Sequence, residues 1–172
     1  MLIMKWWMKK RSSYILAILL LLNFYSCDKN NNSNKMWDEA EMYYQNKNFD
    51  DSVIALNKII NLQNIEEDLK VKSLFLISEI YLNEYKEYDI SLSFLDKILN
   101  FHQNHNLHKR ALFTKAYINA NYLDAYTDAI ILYDLFLENY PNDELASSVN
   151  YELEELNKFQ EQIDKLIKSS NF

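Results

Sequence analysis

The chain has 172 residues, 49% of them hydrophobic, which is enough for one modest domain with a buried core. Glycine is absent and proline occurs once, so the composition favours long helices with polar turns over hairpins, glycine-rich phosphate loops and sharp catalytic elbows. The formal net charge is −7, with 14 bases against 25 acids after residue 26, and so acidic a domain is a poor candidate for nucleic acid, where Lys and Arg contacts to phosphate dominate.

The N-terminal segment has the parts of an export signal. Three bases, Lys9 to Arg11, precede the apolar run from Tyr14 to Leu22. This run is shorter than the ~20 apolar residues that a transmembrane helix needs, so residues 1–26 are predicted to be a cleaved signal peptide. An uncleaved signal anchor is the first alternative, and a cytosolic protein with an apolar N-terminus is the second. For a cleaved signal or a signal anchor, the charge pattern places the rest of the chain outside the cytoplasm. Translation can start at Met1 or at Met8.

The residues around the cleavage point resemble a bacterial lipoprotein signal, in which the chain is cut before a cysteine. Ser26 is the small residue before the cut, Cys27 is the cysteine, and Phe24 stands where leucine is usual. The resemblance implies that Cys27 carries diacylglyceryl and acyl groups, and two or more such chains anchor a protein firmly. It also implies a periplasmic domain held at a membrane, with the outer membrane expected and the inner membrane as the alternative suggested by Asp28. The polar residues 27–35 are predicted to form the lipidated cysteine and a flexible tether.

A helical pattern then occurs three times. Each copy begins with an aromatic residue, has a small residue at offset three and apolar residues at offsets four, seven, ten and eleven, and the copies begin at Phe49, Tyr88 and Tyr126. The starts are 39 and 38 residues apart. Steps of three and four describe the buried face of an amphipathic helix, and a fixed period in this range predicts a stacked helical repeat.

A second predicted helix precedes each copy. Small residues stand near the middle of both helices of each pair: Ala40 with Ser52, Ser78 with Ser91, and Ala116 with Ala129. The two members of these pairs are 12, 13 and 13 residues apart, in chain order. Because small side chains let two helices approach closely, each pair of helices is predicted to form a hairpin.

This pattern resembles the tetratricopeptide repeat family. The third copy fits best, and its residues in family positions are Ala116, Tyr126, Ala129, Tyr133, Phe136 and Pro141. The glycine of the family's first helix is missing, and the period exceeds the usual 34 or so because the turns are longer. The resemblance implies an all-α, right-handed superhelix of three hairpins, at about residues 36–64, 69–102 and 109–141. Within the family, the chain looks most like periplasmic lipoproteins of the barrel-assembly and cell-division coordinator types.

The family geometry further implies a concave surface lined by the first helix of each pair. Aromatic side chains ringed by polar groups suit peptide binding, since aromatic anchors dominate interface energetics. The predicted partner-binding residues are Trp37, Glu41, Tyr44, Phe75, Glu79, Phe113, Tyr117 and Asn121. The alternative is that some of them pack between helices.

The last segment, residues 142–172, is predicted to be a long capping helix. Asn142 or Asp143 can cap its start, and apolar residues recur along one face from Leu145 to Ile167. The first half should cover the open end of the third repeat, as terminal helices of solenoids do. The second half is long enough to extend beyond it, and an amphipathic surface for a partner or for self-association is then one alternative.

All three histidines fall in one turn, at His102, His105 and His108. Their spacing can gather imidazoles for zinc or copper, but no Cys, Asp or Glu of the turn completes a site, so a solvated turn is favoured over a metal site or a pH-sensitive patch. The sequence contains no Ser-His-Asp order, HExxH motif or P-loop. It therefore predicts no enzyme and no cofactor other than the lipid on Cys27.

These features together predict a lipid-anchored periplasmic scaffold that binds a protein or peptide partner in an envelope complex, for example in outer-membrane protein assembly. A small-molecule or metal-binding lipoprotein, using the concave surface or the histidine turn, is the alternative. Neither the partner nor the oligomeric state follows from the sequence.

Overall fold

The computed structural model of the protein describes residues 32–170. Over this range the chain is helical, has no β-strand and contains seven α-helices. They are α1 at residues 32–45, α2 at Phe49–Ile60, α3 at Glu67–Ile80, α4 at Tyr88–Phe101, α5 at His108–Asn121, α6 at Tyr126–Asn139 and α7 at Ala146–Ser170, and a π-helical turn at Tyr81–Tyr85 continues α3. The predicted all-α class, with its consecutively paired helices, is confirmed.

The described chain forms two compact units. The first, residues 32–65, contains α1 and α2, and the second, residues 66–170, contains the other five helices. Within the second unit each helix packs against the next along the chain. The buried cluster of α5, α6 and α7 consists of Leu112, Ala116, Ala120, Ala129, Tyr133, Phe136, Val149, Leu153 and Leu156. The third predicted hairpin and the first half of the predicted capping helix therefore share one core.

Both ends of the described chain differ in detail from the predicted boundaries. The first helix begins at residue 32 instead of 36, so the last residues of the predicted tether are helical. Ser33, one turn before Met36 and Trp37, is buried on the same side of this helix, so the helix packs from its first turn. The predicted signal peptide, Cys27 and the rest of the tether lie outside the described residues.

The last helix begins at Ala146 instead of directly after its predicted cap, Asn142 or Asp143. The Asp143 side chain accepts a hydrogen bond from the Leu145 backbone N–H (3.0 Å), and the Asp143 carbonyl accepts one from the Ala146 N–H (3.0 Å). Asp143 thus closes a separate turn before the helix. Val149 and Leu153 are buried, whereas Leu166 is 68% exposed, so the final turns of α7 are largely open to solvent.

The small residues define the closest contacts within the hairpins. All six predicted small residues are fully buried. The Ser52 hydroxyl donates to the Ala40 carbonyl (2.9 Å), and the Ser91 hydroxyl donates to the Ser78 carbonyl (2.8 Å). Because these bonds join the two helices of a hairpin, the small pair sets their spacing, as predicted. In the third hairpin the equivalent residues, Ala116 and Ala129, have no hydroxyl that could form this hydrogen bond.

The turns inside the hairpins share one backbone feature, a residue with a positive φ angle at the same position. Lys47, Lys86 and Asp124 have φ angles of 60°, 59° and 52°, and each stands two residues before the aromatic residue that opens the next helix. This left-handed conformation is normally left to glycine because a Cβ atom clashes with the following carbonyl. A chain without glycine therefore places a strained residue at the same point of every hairpin.

The closing hydrogen bonds of these turns explain the unequal spacing of the small residues. In the first hairpin the Asn48 N–H donates to the Tyr43 carbonyl, five residues earlier. In the second, the Glu87 N–H donates to Tyr81, and in the third the Ala125 N–H donates to Asn119, both six residues earlier. The acceptor lies three residues after the small residue in every copy. The second and third hairpins have one more residue between their small residues than the first, and this extra residue therefore lies in the turn between the two helices.

Replacing Lys86 with glycine should raise the free energy of unfolding by about 1 kcal/mol, because glycine enters the left-handed region without the Cβ clash. Urea unfolding of the two proteins measures the difference. The control is Asp134→Gly at an exposed position inside α6, which should lose about 1 kcal/mol because glycine is a poor helix former. Similar losses in both variants would contradict the assignment of strain to Lys86.

Candidate partner-binding surface

The first unit contributes three of the residues predicted to bind a partner, all on α1. Trp37 and Tyr44 are half-buried and Glu41 is exposed. The Tyr44 ring packs edge-on against the Phe49 ring, with centroids 5.8 Å apart. Trp37 and Tyr44 therefore each leave part of the ring exposed to solvent.

The predicted residues of α3 occupy two different environments. Phe75 is only 6% exposed, and the guanidinium of Arg110 lies over its ring, 5.3 Å from the centroid. The ring is therefore a packing element, and Arg110 forms the surface above it. Glu79 is half-buried, and burial raises the pKa of its carboxyl while the charge of Arg110 acts in the opposite direction.

The helix α5 carries the aromatic part of the surface. Phe113 and Tyr117 are half-buried, and their rings stack with centroids 6.4 Å apart. Tyr122, directly after the last residue of α5, meets Tyr117 edge-on at 5.9 Å and stacks on Tyr88 at 4.6 Å. We call Phe113, Tyr117 and Tyr122 the aromatic row. Asn121 is exposed, and because its side-chain amide donates to the Tyr117 carbonyl (3.0 Å), its own oxygen still has capacity to accept.

Three residues of this surface were not among those predicted from the sequence pattern. Arg110 lies three residues before Phe113 and seven before Tyr117, which puts all three on one helix face. This spacing in the sequence could have identified Arg110 as part of the surface. Tyr122 and Glu152 had no such signal, because Tyr122 follows the helix and Glu152 belongs to α7. Burial, the neighbouring Tyr122 and the charge of Glu152 together raise the pKa of Tyr117.

A buried hydroxyl lies beneath the aromatic row. Tyr133 is fully buried, and its ring packs against Phe113 with centroids 6.0 Å apart. Its hydroxyl has no hydrogen-bond partner within residues 32–170. Burial, with the charge of Glu152 as a lesser cause, raises the pKa of Tyr133. Such an unpaired buried donor costs stability.

The three histidines contact separate partners. The Nδ1 atom of His102 lies 2.8 Å from a carboxylate oxygen of Glu67, and Nε2 of His105 lies 3.4 Å from one of Asp68. These acids come from the first turn of α3, which the local sequence pattern could not indicate. Nδ1 of His108 instead lies 2.9 Å from the Tyr140 hydroxyl.

The arrangement of these side chains bears on the metal alternative. Among the described residues, no three His, Cys, Asp or Glu side chains are grouped closely enough to hold a metal ion. Burial lowers the pKa of His108, while a hydrogen bond with the Leu99 backbone opposes this shift. The histidine turn thus joins α3, α4 and α6 through pairwise contacts.

The sequence matches no protein-family model and no curated protein. Across residues 32–170, no helix combines the length and the apolarity needed to cross a membrane.

Proposed function

We propose that the protein is a non-enzymatic, lipid-anchored scaffold of the tetratricopeptide type, which binds a protein or peptide partner in a bacterial envelope complex. The aromatic row is the observation on which the proposal depends. Its rings are partly exposed, preordered by contacts with one another, and preceded by the cationic Arg110 one turn earlier on α5. Rigid aromatic groups with polar neighbours supply most of the binding energy at protein interfaces.

The charge of the second unit favours a particular kind of partner. From residue 66 to the end of the chain, ten bases stand against 19 acids, a formal charge of −9. Such a surface attracts basic segments and repels acidic ones. We therefore expect the partner segment to combine an aromatic or large aliphatic side chain, for contact with the aromatic row, with nearby Lys or Arg.

Replacing Tyr117 with alanine should weaken peptide binding at least tenfold, the size of effect expected for a central aromatic anchor. The test selects peptides from a random displayed library on the full chain and then measures their affinities by fluorescence anisotropy. The matched control is Tyr151→Ala, which removes a ring that is 63% exposed on α7 and makes no ring contact within the described chain.

The two variants separate the possible outcomes of this experiment. Selected peptides rich in basic and aromatic residues, bound by the control but not by the Tyr117 variant, would support the proposal. Failure to enrich any sequence, or equal affinity for both variants, would contradict it. Circular dichroism of each variant shows whether a loss of affinity reflects a loss of fold.

The envelope location is supported by the sequence around Cys27 and by the basic residues that precede the apolar run. We expect the mature protein, extracted from membranes, to have the mass of a chain beginning at Cys27 with two or three acyl chains. Intact mass spectrometry measures this directly, and Cys27→Ala is the control that should lose the added mass. A mass that retains residues 8–26 without lipid would instead indicate a signal anchor.

A further inference from the structure

The second unit contains a cavity that the aromatic row does not use. Its volume is about 430 Å³, and it lies between α4, α5 and α6. Four leucines, Leu99, Leu112, Leu132 and Leu135, form its apolar wall. This volume lies within the roughly 300–1,000 Å³ usual for small-molecule sites.

The polar lining of the cavity is uncharged. His108 and Tyr140 are linked by a 2.9 Å hydrogen bond, and the amides of Asn100, Gln103 and Asn139 complete the lining. No Lys, Arg, Asp or Glu lines the cavity. Burial also lowers the pKa of His108, which favours its neutral form. An ionic ligand would find no side chain of opposite charge in this lining to offset the partial loss of its hydration.

The side-chain amides of the lining can recognise a ligand by hydrogen bonding. The Asn139 amide N–H₂ donates to the Leu135 carbonyl (2.9 Å), so its oxygen can accept a bond from a ligand. Within residues 32–170, Asn100 and Gln103 make no side-chain hydrogen bond, and each can both donate and accept. These three amides stand at the exposed rim of an apolar wall, an arrangement that suits a ligand with an aliphatic body and an amide or hydroxyl head.

We propose that this cavity binds an uncharged small amphiphile, with its aliphatic body against the four leucines and its amide or hydroxyl head at the amide side chains. The site is lined by residues outside the aromatic row, so it can exist whether or not the proposed peptide binding is correct. It gives the protein a ligand-binding activity in addition to scaffolding.

Octanamide, octanoate and octylammonium form a matched set of probes for this proposal, because they share one aliphatic chain and differ in charge. Each is titrated at pH 7.5 into the full chain labelled at leucine methyl groups, and the methyl signals are followed by NMR. We expect octanamide to shift the signals of the wall leucines saturably, with a Kd on the order of 1 mM for a ligand of about ten heavy atoms. The two ions should bind at least tenfold more weakly.

A cavity-filling variant tests whether the shifts arise at this site. Leu135 is 41% exposed and lines the cavity, so Leu135→Trp should fill the space and weaken octanamide binding at least tenfold. Ile131→Trp adds the same ring one turn earlier on α6, at a position that is 59% exposed and outside the lining, and should leave binding unchanged. Equal binding of the three probes, no saturable shift, or unaltered binding by the Leu135 variant would overturn the proposal.

Discussion

Replacing Ala129 with leucine should lower the free energy of unfolding by about 3 kcal/mol, the upper end of the usual cost of overpacking a core. Ala129 and Ala116 are both fully buried where α5 meets α6. A leucine has no space between two helices at their closest approach, so the helices must separate or the side chain must adopt a strained rotamer. Urea unfolding followed by far-ultraviolet circular dichroism gives the measurement.

The other hairpins supply a control at the same position. Ser52 and Ser91 occupy the equivalent place, and their hydroxyls bond to the carbonyls of Ala40 and Ser78 across the hairpin. A serine at position 129 should find the Ala116 carbonyl in the same way and stay within about 1 kcal/mol of the natural chain. If the leucine variant were as stable as the serine variant, close packing of the small pair would not be what holds the hairpin together.

Much of the fold could be predicted because the same packing pattern occurs in three repeats of the sequence. The small residues and the aromatic residue that opens each second helix recur at nearly constant offsets, which located the hairpins and their contact points. The one-residue difference in spacing was visible in the sequence, but its structural cause was not. Whether a turn closes over five or six residues depends on backbone hydrogen bonds, and side-chain periodicity carries no information about these.

The candidate surface was predicted less completely, because side chains that share a helix face can still differ in exposure. Phe75 and Phe113 occupy equivalent positions, but Arg110 covers the first ring while the second is half-exposed. Contacts between different helices decide this, and a repeat pattern within one helix cannot reveal them. The histidine turn illustrates the same limit, since Glu67 is 35 residues from His102 in sequence.

Replacing Tyr133 with alanine should lower the free energy of unfolding by about 3–5 kcal/mol, as expected for the loss of a fully buried aromatic ring. The ring packs against Phe113 in the cluster shared by α5, α6 and α7. Tyr133→Phe is the matched control, because it keeps the ring and removes only the hydroxyl that lacks a partner in the described structure. This variant should be as stable as the natural chain or more stable by about 1 kcal/mol.

The loss of folding stability at alkaline pH provides an independent test of the Tyr133 hydroxyl. Burial raises the pKa of Tyr133 above its usual value of 10.0, so near and above pH 10 the unfolded chain releases this proton while the folded chain retains it. The natural chain must therefore lose stability as pH rises through 10, because the folded state binds more protons than the unfolded state. Tyr133→Phe lacks this contribution and should lose less stability between pH 8 and pH 11. Parallel losses in the two proteins, or a Tyr133→Phe variant that is clearly less stable at pH 7, would mean that the hydroxyl is solvated or paired in solution.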